Sequence, residues 1–175
     1  NNCEHPIAVL TVVLPANQAL LPDPLSFPAP RLPATVIARP ALQLRMRDAA
    51  THGSLWVCGP AGAGKTTAVA QWLRAARRNA IWLRLDTADS DPGVLLPRMR
   101  DALAAHTNAV PTFAYGPEHR DQLARFARLF FRTLLSRLRK PLVWVLDNVQ
   151  DVDSQIIDTL LDMAMDEAPD ALTLV

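Results

Sequence analysis

The stretch Gly59-Pro60-Ala61-Gly62-Ala63-Gly64-Lys65-Thr66 constrains this chain more than any other. It is a complete G-x-x-x-x-G-K-[ST] loop in a fitting context. Ser54-Leu-Trp-Val-Cys58 before it reads as a short buried strand, and Thr66 to Arg78 after it as a helix. Glycines let successive backbone N–H groups turn inward around an anion, and the following helix aims its positive dipole end at the same place. Lys65 then offers a compact ammonium to the β and γ oxygens, and the Thr66 hydroxyl is a ligand for Mg²⁺. The cations of the chain are 16 Arg and only 2 Lys, yet one lysine stands where a forked guanidinium would not fit the loop. The pattern points to a nucleoside triphosphate, held by residues 59–66 together with Thr67.

At 175 residues the chain is long enough for one domain with a real core. The formal net charge of +1 gives no global electrostatic argument for nucleic acid or for a membrane surface. Cys3 and Cys58 offer no disulfide framework, and Cys58 reads as a small buried hydrophobe, which suits a reducing, cytoplasmic setting. The four histidines are scattered without ligand spacing, so no metal beyond Mg²⁺ is expected. The apolar run Ile7 to Leu14 is too short to cross a bilayer and lacks the basic flank of a signal peptide. The chain opens on Asn1 rather than Met and stops in what reads as a strand, so a piece of a longer protein is expected.

Residues 1–40 hold 8 of the 15 prolines and little charge. They read as an extended leader, with residues 1–32 outside the folded domain and 33–175 within it. A helix is expected from about residue 40 to 50, and a strand over Asn79 to Leu85 ending on Asp86. Asp91-Pro92 then forms a helix start, with Pro97 delaying or kinking that helix. Residues 118–139 set Leu123, Phe126, Phe130, Leu134 and Leu138 against Arg125, Arg128, Arg132 and Arg139, an amphipathic helix. Its basic face reads as solvated or as meeting a neighbouring domain. Pro141 to Asp147 is so uniformly apolar that it must be covered on both faces, and Asp153 to Glu167 and Leu172 continue the alternation. Strands alternating with helices mean an α/β domain with a parallel sheet.

Leu142 to Asp147, followed by Asn148, is an apolar strand ending in an acid. A carboxylate there, beside the phosphate loop, shares the Mg²⁺ with Thr66 and offsets charge as a γ-phosphoryl group leaves. Asn148 departs from the common pattern of a second acid. An amide orients water but takes no proton from it at neutral pH, so Lys65, Asp147 and Asn148 predict binding with slow turnover. No [NT]-K-x-D guanine-reading motif occurs, which favours adenine.

Four segments in this order carry a resemblance. They are Pro33 to Leu44, Cys58 to Trp72, Trp82 to Pro92 with its Asp86-x-x-Asp89-x-Asp91-Pro92 run, and Pro141 to Gln150. Together they resemble the N-terminal ATPase module of large LuxR-type transcriptional regulators, within the signal-transduction ATPases (STAND). The resemblance implies a three-layer α/β/α P-loop NTPase with a mostly parallel sheet, truncated at its C-terminal side. In its strand order the segment from Leu172 lies between the phosphate-loop strand and the Asp147 strand. It implies that Ile37 and Arg39 lie near an adenine, that ATP and Mg²⁺ bind, and that the full-length ATP form self-associates. DNA would be met only through a C-terminal domain absent from these residues, with no membrane partner. The alternatives are a working AAA+ ATPase, such as a loader or initiator, and a small-molecule P-loop kinase.

Overall fold

A computed structural model describes residues 7–12, 29–32, 35–51, 54–78, 80–104, 106, 111–136, 142–168 and 172–174. In chain order the elements are β1 (Ile7–Val12), α1 (Pro40–Ala49), β2 (Leu55–Val57), α2 (Lys65–Ala75), β3 (Ala80–Arg84) and α3 (Pro92–Ala104). They continue with α4 (Leu123–Leu135), β4 (Leu142–Asp147), α5 (Ser154–Asp166) and β5 (Leu172–Leu174). All six residues of β4 are buried, as its unbroken apolar character requires. Alternation divides them between two cores. Trp144 and Leu146 join Ile81, Leu83 and the apolar faces of α3, α4 and α5, while Val143 and Val145 join Trp82, Val69, Trp72 and Met46 under α1 and α2. The result is the expected three-layer α/β/α arrangement.

Strands β3 and β4 pair in parallel, with Trp82 opposite Val145 and Arg84 opposite Asp147. β1 runs antiparallel to β2, β4 and β5, so four of the five strands share one direction. This strand corrects two expectations. Ile7–Val12 is extended, as read from sequence, but it pairs inside the sheet rather than lying outside the domain. It also takes the place expected for the Leu172 strand, with Ala8 to Val12 pairing along β4 and β2 and β5 sharing its other edge. The physical reason is the β4 edge, whose open backbone donors and acceptors need a partner. A run of β-branched and aliphatic residues such as Ile7-Ala-Val-Leu-Thr-Val12 supplies one. Cys58 is a further correction. It is exposed rather than buried, and it is disulfide-bonded. β2 ends at Val57, so Cys58 follows the strand instead of lying within it.

The helices follow their caps. Asp91 Oδ1 accepts the Gly93 N–H at 2.8 Å and Pro92 opens α3 at once, so the helix does not start late. Pro97 lies inside it and leaves its ladder one donor short. Asp153 caps α5 by accepting from the Gln155 and Ile156 N–H groups at 3.0 and 3.3 Å. The amphipathic segment begins with a 3₁₀ turn over Pro117–Gln122, so α4 itself is shorter than the sequence pattern suggested. Its basic face is partly paired: Arg128 donates to Asp166 at 2.9 Å and Arg132 grips Glu167 with two bonds of 2.8 Å. Leu138 and Arg139 lie outside the described residues, as do Asn79, Thr107 and Pro141. Among the described residues no helix is long and apolar enough to cross a membrane.

Candidate nucleotide site

The loop after β2 is held open by backbone conformations that only glycine adopts without strain. Gly62 and Gly64 have φ of +76° and +77°. Gly64 precedes the first residue of α2, so the helix N-terminus faces the loop. Lys65 Nζ folds back across it and donates to the Gly59 and Pro60 carbonyls at 2.9 and 3.0 Å. The ammonium therefore already sits at the concave side of the loop, with three donors to redistribute when an anion enters.

β4 delivers Asp147 to the same place. Alternation puts it on the Val143 and Val145 face, the face covered by α2, and it is only 3% exposed. The Thr66 hydroxyl donates to its two carboxylate oxygens at 3.3 and 3.2 Å. One buried carboxylate and one hydroxyl in contact are hard oxygen donors of the kind Mg²⁺ takes. No cluster of three metal-binding His, Cys, Asp or Glu side chains exists among the described residues. Mg²⁺ characteristically binds through one or two protein oxygens plus phosphate oxygens and water, and Thr66 with Asp147 fit that mode.

A cavity of about 330 Å³ is lined by Ala61, Gly62, Gly64, Lys65, Thr66, Asp147, Asn148 and Gln150. A second, of about 410 Å³, shares Thr66, Asp147 and Asn148 and extends to Trp82, Arg84 and Arg98 at the carboxyl ends of β3 and β4. Asn148 is half-buried and left-handed, at φ 65° and ψ 38°, a conformation that Asn and Asp accept better than other side chains. It stands immediately beyond Asp147 and lines both cavities. Gly59, Pro60 and Ala63 belong to the loop but line neither cavity, and Thr67 lies half-buried in the first turn of α2.

Ile37 and Arg39 come to the loop by tethers. Arg39 donates to the Ala63 carbonyl at 3.1 Å, and Gln71 on α2 donates to the Ile37 carbonyl at 3.1 Å. The Ile37 side chain is 82% exposed, so it has an open face rather than a packed one.

Three contributors escaped the sequence reading. Trp82 donates its indole N–H to Asp147 Oδ2 at 3.2 Å. Asp89, fully buried, accepts from the Asp86 N–H at 2.9 Å and from Arg98, which also donates to the Arg84 carbonyl at 2.8 Å. Asp86 in turn accepts the Ala88 N–H at 2.8 Å. The Asp86-x-x-Asp89-x-Asp91-Pro92 run is therefore a set of caps and a half-buried ion pair that fixes the carboxyl end of β3 beside Asp147. The spacing of acids before a Pro-led helix signalled the Asp91 cap, but the Asp89–Arg98 pairing depends on tertiary packing.

With this geometry in view, comparison with known proteins is informative. Residues 39–175 match the family model described as AAA ATPase domain. Curated relatives include the HTH-type transcriptional regulator MalT of Cronobacter sakazakii, 29% identical over 160 residues, and that of Serratia proteamaculans, 31% identical over 160. MalT of Klebsiella pneumoniae is 29% identical over the same length. Each alignment covers 89% of this chain but 17% of the relative, so the chain spans about a sixth of the length of the regulators it matches. No solved structure matches. The likeness to large transcriptional regulators expected from the loop, the Asp86 run and the Asp147 strand is found. A glycine–lysine loop, a buried aspartate beneath it and a family match over most of the sequence lead to one conclusion: the chain belongs to the AAA ATPase domain family.

Proposed function

We propose that this domain is a regulatory switch that binds Mg²⁺–ATP and hydrolyses it slowly, as the nucleotide-sensing part of a transcriptional regulator. The observation that carries the reading is the Thr66–Asp147 contact under the loop, followed directly by an amide at Asn148. Lys65 exchanges its loop carbonyls for phosphate oxygens. Backbone N–H groups of the loop (Pro60 has none) and the α2 dipole hold the remaining charge. Thr66 and Asp147 position the metal, which when bound neutralises charge developing on the phosphates. Asn148 orients water by hydrogen bonding and removes no proton from it. The Arg39 and Gln71 tethers place the Ile37–Arg39 segment at the loop, where it forms one wall for the base. Occupancy then outlasts chemistry, and a signal is carried by the difference in ATP affinity between two conformations.

The relatives' description as HTH-type transcriptional regulators supports contact with DNA through a separate region of the protein, and the self-association of the ATP form and the cytoplasmic setting that the resemblance implies belong to the same reading. Calorimetry tests the nucleotide reading directly. ATP with Mg²⁺ is expected to bind with measurable heat and GTP more weakly; equal affinity for the two would remove the adenine preference, and no binding of either would remove the reading.

A further inference from the structure

Three tryptophans are buried among the described residues, Trp72, Trp82 and Trp144. The indole N–H groups of Trp72 and Trp144 have no hydrogen-bond partner there. Trp82 is different, because its N–H is directed at a carboxylate oxygen of Asp147. Register accounts for this. Trp82 lies opposite Val145, two residues short of Asp147, and both side chains stand on the α2 face of the sheet. A diagonal neighbour across paired strands is within reach of a long aromatic side chain. A one-residue slip of β3 against β4 would turn Trp82 to the opposite face of the sheet and break the contact.

Asp147 accepts side-chain hydrogen bonds from two residues, Thr66 and Trp82. A nearly fully buried carboxylate needs such donors, and charge-assisted bonds are the strong kind. The two donors are not equivalent. The Thr66 hydroxyl is shared between both carboxylate oxygens and is itself an expected metal ligand, whereas the indole N–H has one partner and no other role. It engages Oδ2 and leaves Oδ1 without it. We propose that Trp82 is a positioning residue for the metal, its indole N–H fixing the Asp147 carboxylate so that one oxygen is presented to Mg²⁺. The inference rests on the Mg²⁺–nucleotide reading of the site and adds to it the residue that orients the ligand. Partners of this kind, one shell outside a metal, change metal affinity by about 10- to 100-fold when lost.

The test compares Trp82→Phe, which removes the N–H and keeps an aromatic ring, with Trp72→Phe, which trims a buried tryptophan away from Asp147. ATP binding to the purified protein is measured by calorimetry in EDTA and across a Mg²⁺ titration. Trp82→Phe is expected to bind metal-free ATP as the wild type does but to need about tenfold more Mg²⁺ for the same gain in affinity. Trp72→Phe is expected to keep the wild-type Mg²⁺ dependence. An unchanged Mg²⁺ requirement in Trp82→Phe, or an equal rise in Trp72→Phe, would overturn the assignment. Wild-type ATP affinity indifferent to Mg²⁺ would instead sink the underlying metal reading. Should Trp82→Phe fail to fold, the ¹⁵N–¹H indole spectrum of the wild type decides. Mg²⁺ added to the ATP-bound protein is expected to move the Trp82 resonance and leave Trp72 and Trp144 in place, and a still Trp82 resonance would contradict the proposal.

Discussion

At the scale of single residues, the site depends on a few atoms whose alternatives are poor. Lys65 reaches the Gly59 and Pro60 carbonyls, and in the proposed function it exchanges these neutral acceptors for charged phosphate oxygens. Lys65→Ala is expected to cost roughly 2–4 kcal/mol of ATP affinity, the worth of charge-assisted contacts in a shielded place. Calorimetry with Mg²⁺–ATP measures it, and wild-type affinity in the mutant would show that the loop is misassigned. The loop lysine and the glycines were legible in the sequence because their spacing is dictated by local backbone geometry, and Asp147 because it ends an unbroken apolar strand. The Trp82 contact was not legible. It follows from the register of β3 on β4, which a one-residue slip would abolish and which no local pattern reports. Cys58 was misread for a related reason: where β2 ends decides its exposure, and strand ends are poorly fixed by local sequence.

Among elements, α4 and α5 illustrate how a sequence pattern can be right while its environment is missed. The hydrophobic face of α4 buries Phe126, Phe130 and Leu134, as periodicity indicated. The arginines opposite are not simply solvated, since Arg128 and Arg132 meet Asp166 and Glu167 at the end of α5. The hydrogen bond from Arg132 holds the Glu167 carboxyl below its ordinary value of 4.5, against a smaller opposing push from desolvation. A folded-state value depressed in this way gives stability that is present above the unfolded value and lost as pH falls through the folded one. Arg132→Gln is therefore expected to lower the melting temperature slightly at neutral pH. That difference should shrink at acid pH, as Glu167 takes up its proton and the pair with Arg132 is lost in the wild type as well. Thermal melts at neutral and acid pH check it; a gap that widens on acidification would contradict the pairing.

The whole molecule is held by β4 and what lies on either side of it. Helix faces and the buried strand were visible in the pattern of apolar residues and the α/β class in the alternation of strands with helices, while the three-layer arrangement was implied by the family resemblance. The position of β1 was not, because prolines around Ile7–Val12 suggest a loose leader and the pairing with β4 spans more than 130 residues of sequence. Deleting residues 1–14 is expected to open the edges of β2 and β4 and to lower the melting temperature with increased light scattering on heating. A truncated protein that melts as the intact one does would show that β1 contributes little to the sheet. Asn148 follows Asp147 in a left-handed conformation that Asp also tolerates, so Asn148→Asp adds a proton acceptor with little backbone cost. The most direct measurement is ATP affinity and single-turnover hydrolysis on one preparation, wild type beside Asn148→Asp. Tight binding, wild-type turnover well below about one per second, and a rise of roughly tenfold or more in Asn148→Asp at unchanged affinity are expected. Wild-type turnover of many per second, or an Asn148→Asp protein slower than wild type, would mean that another residue serves as the base and that the domain is no binding-driven switch.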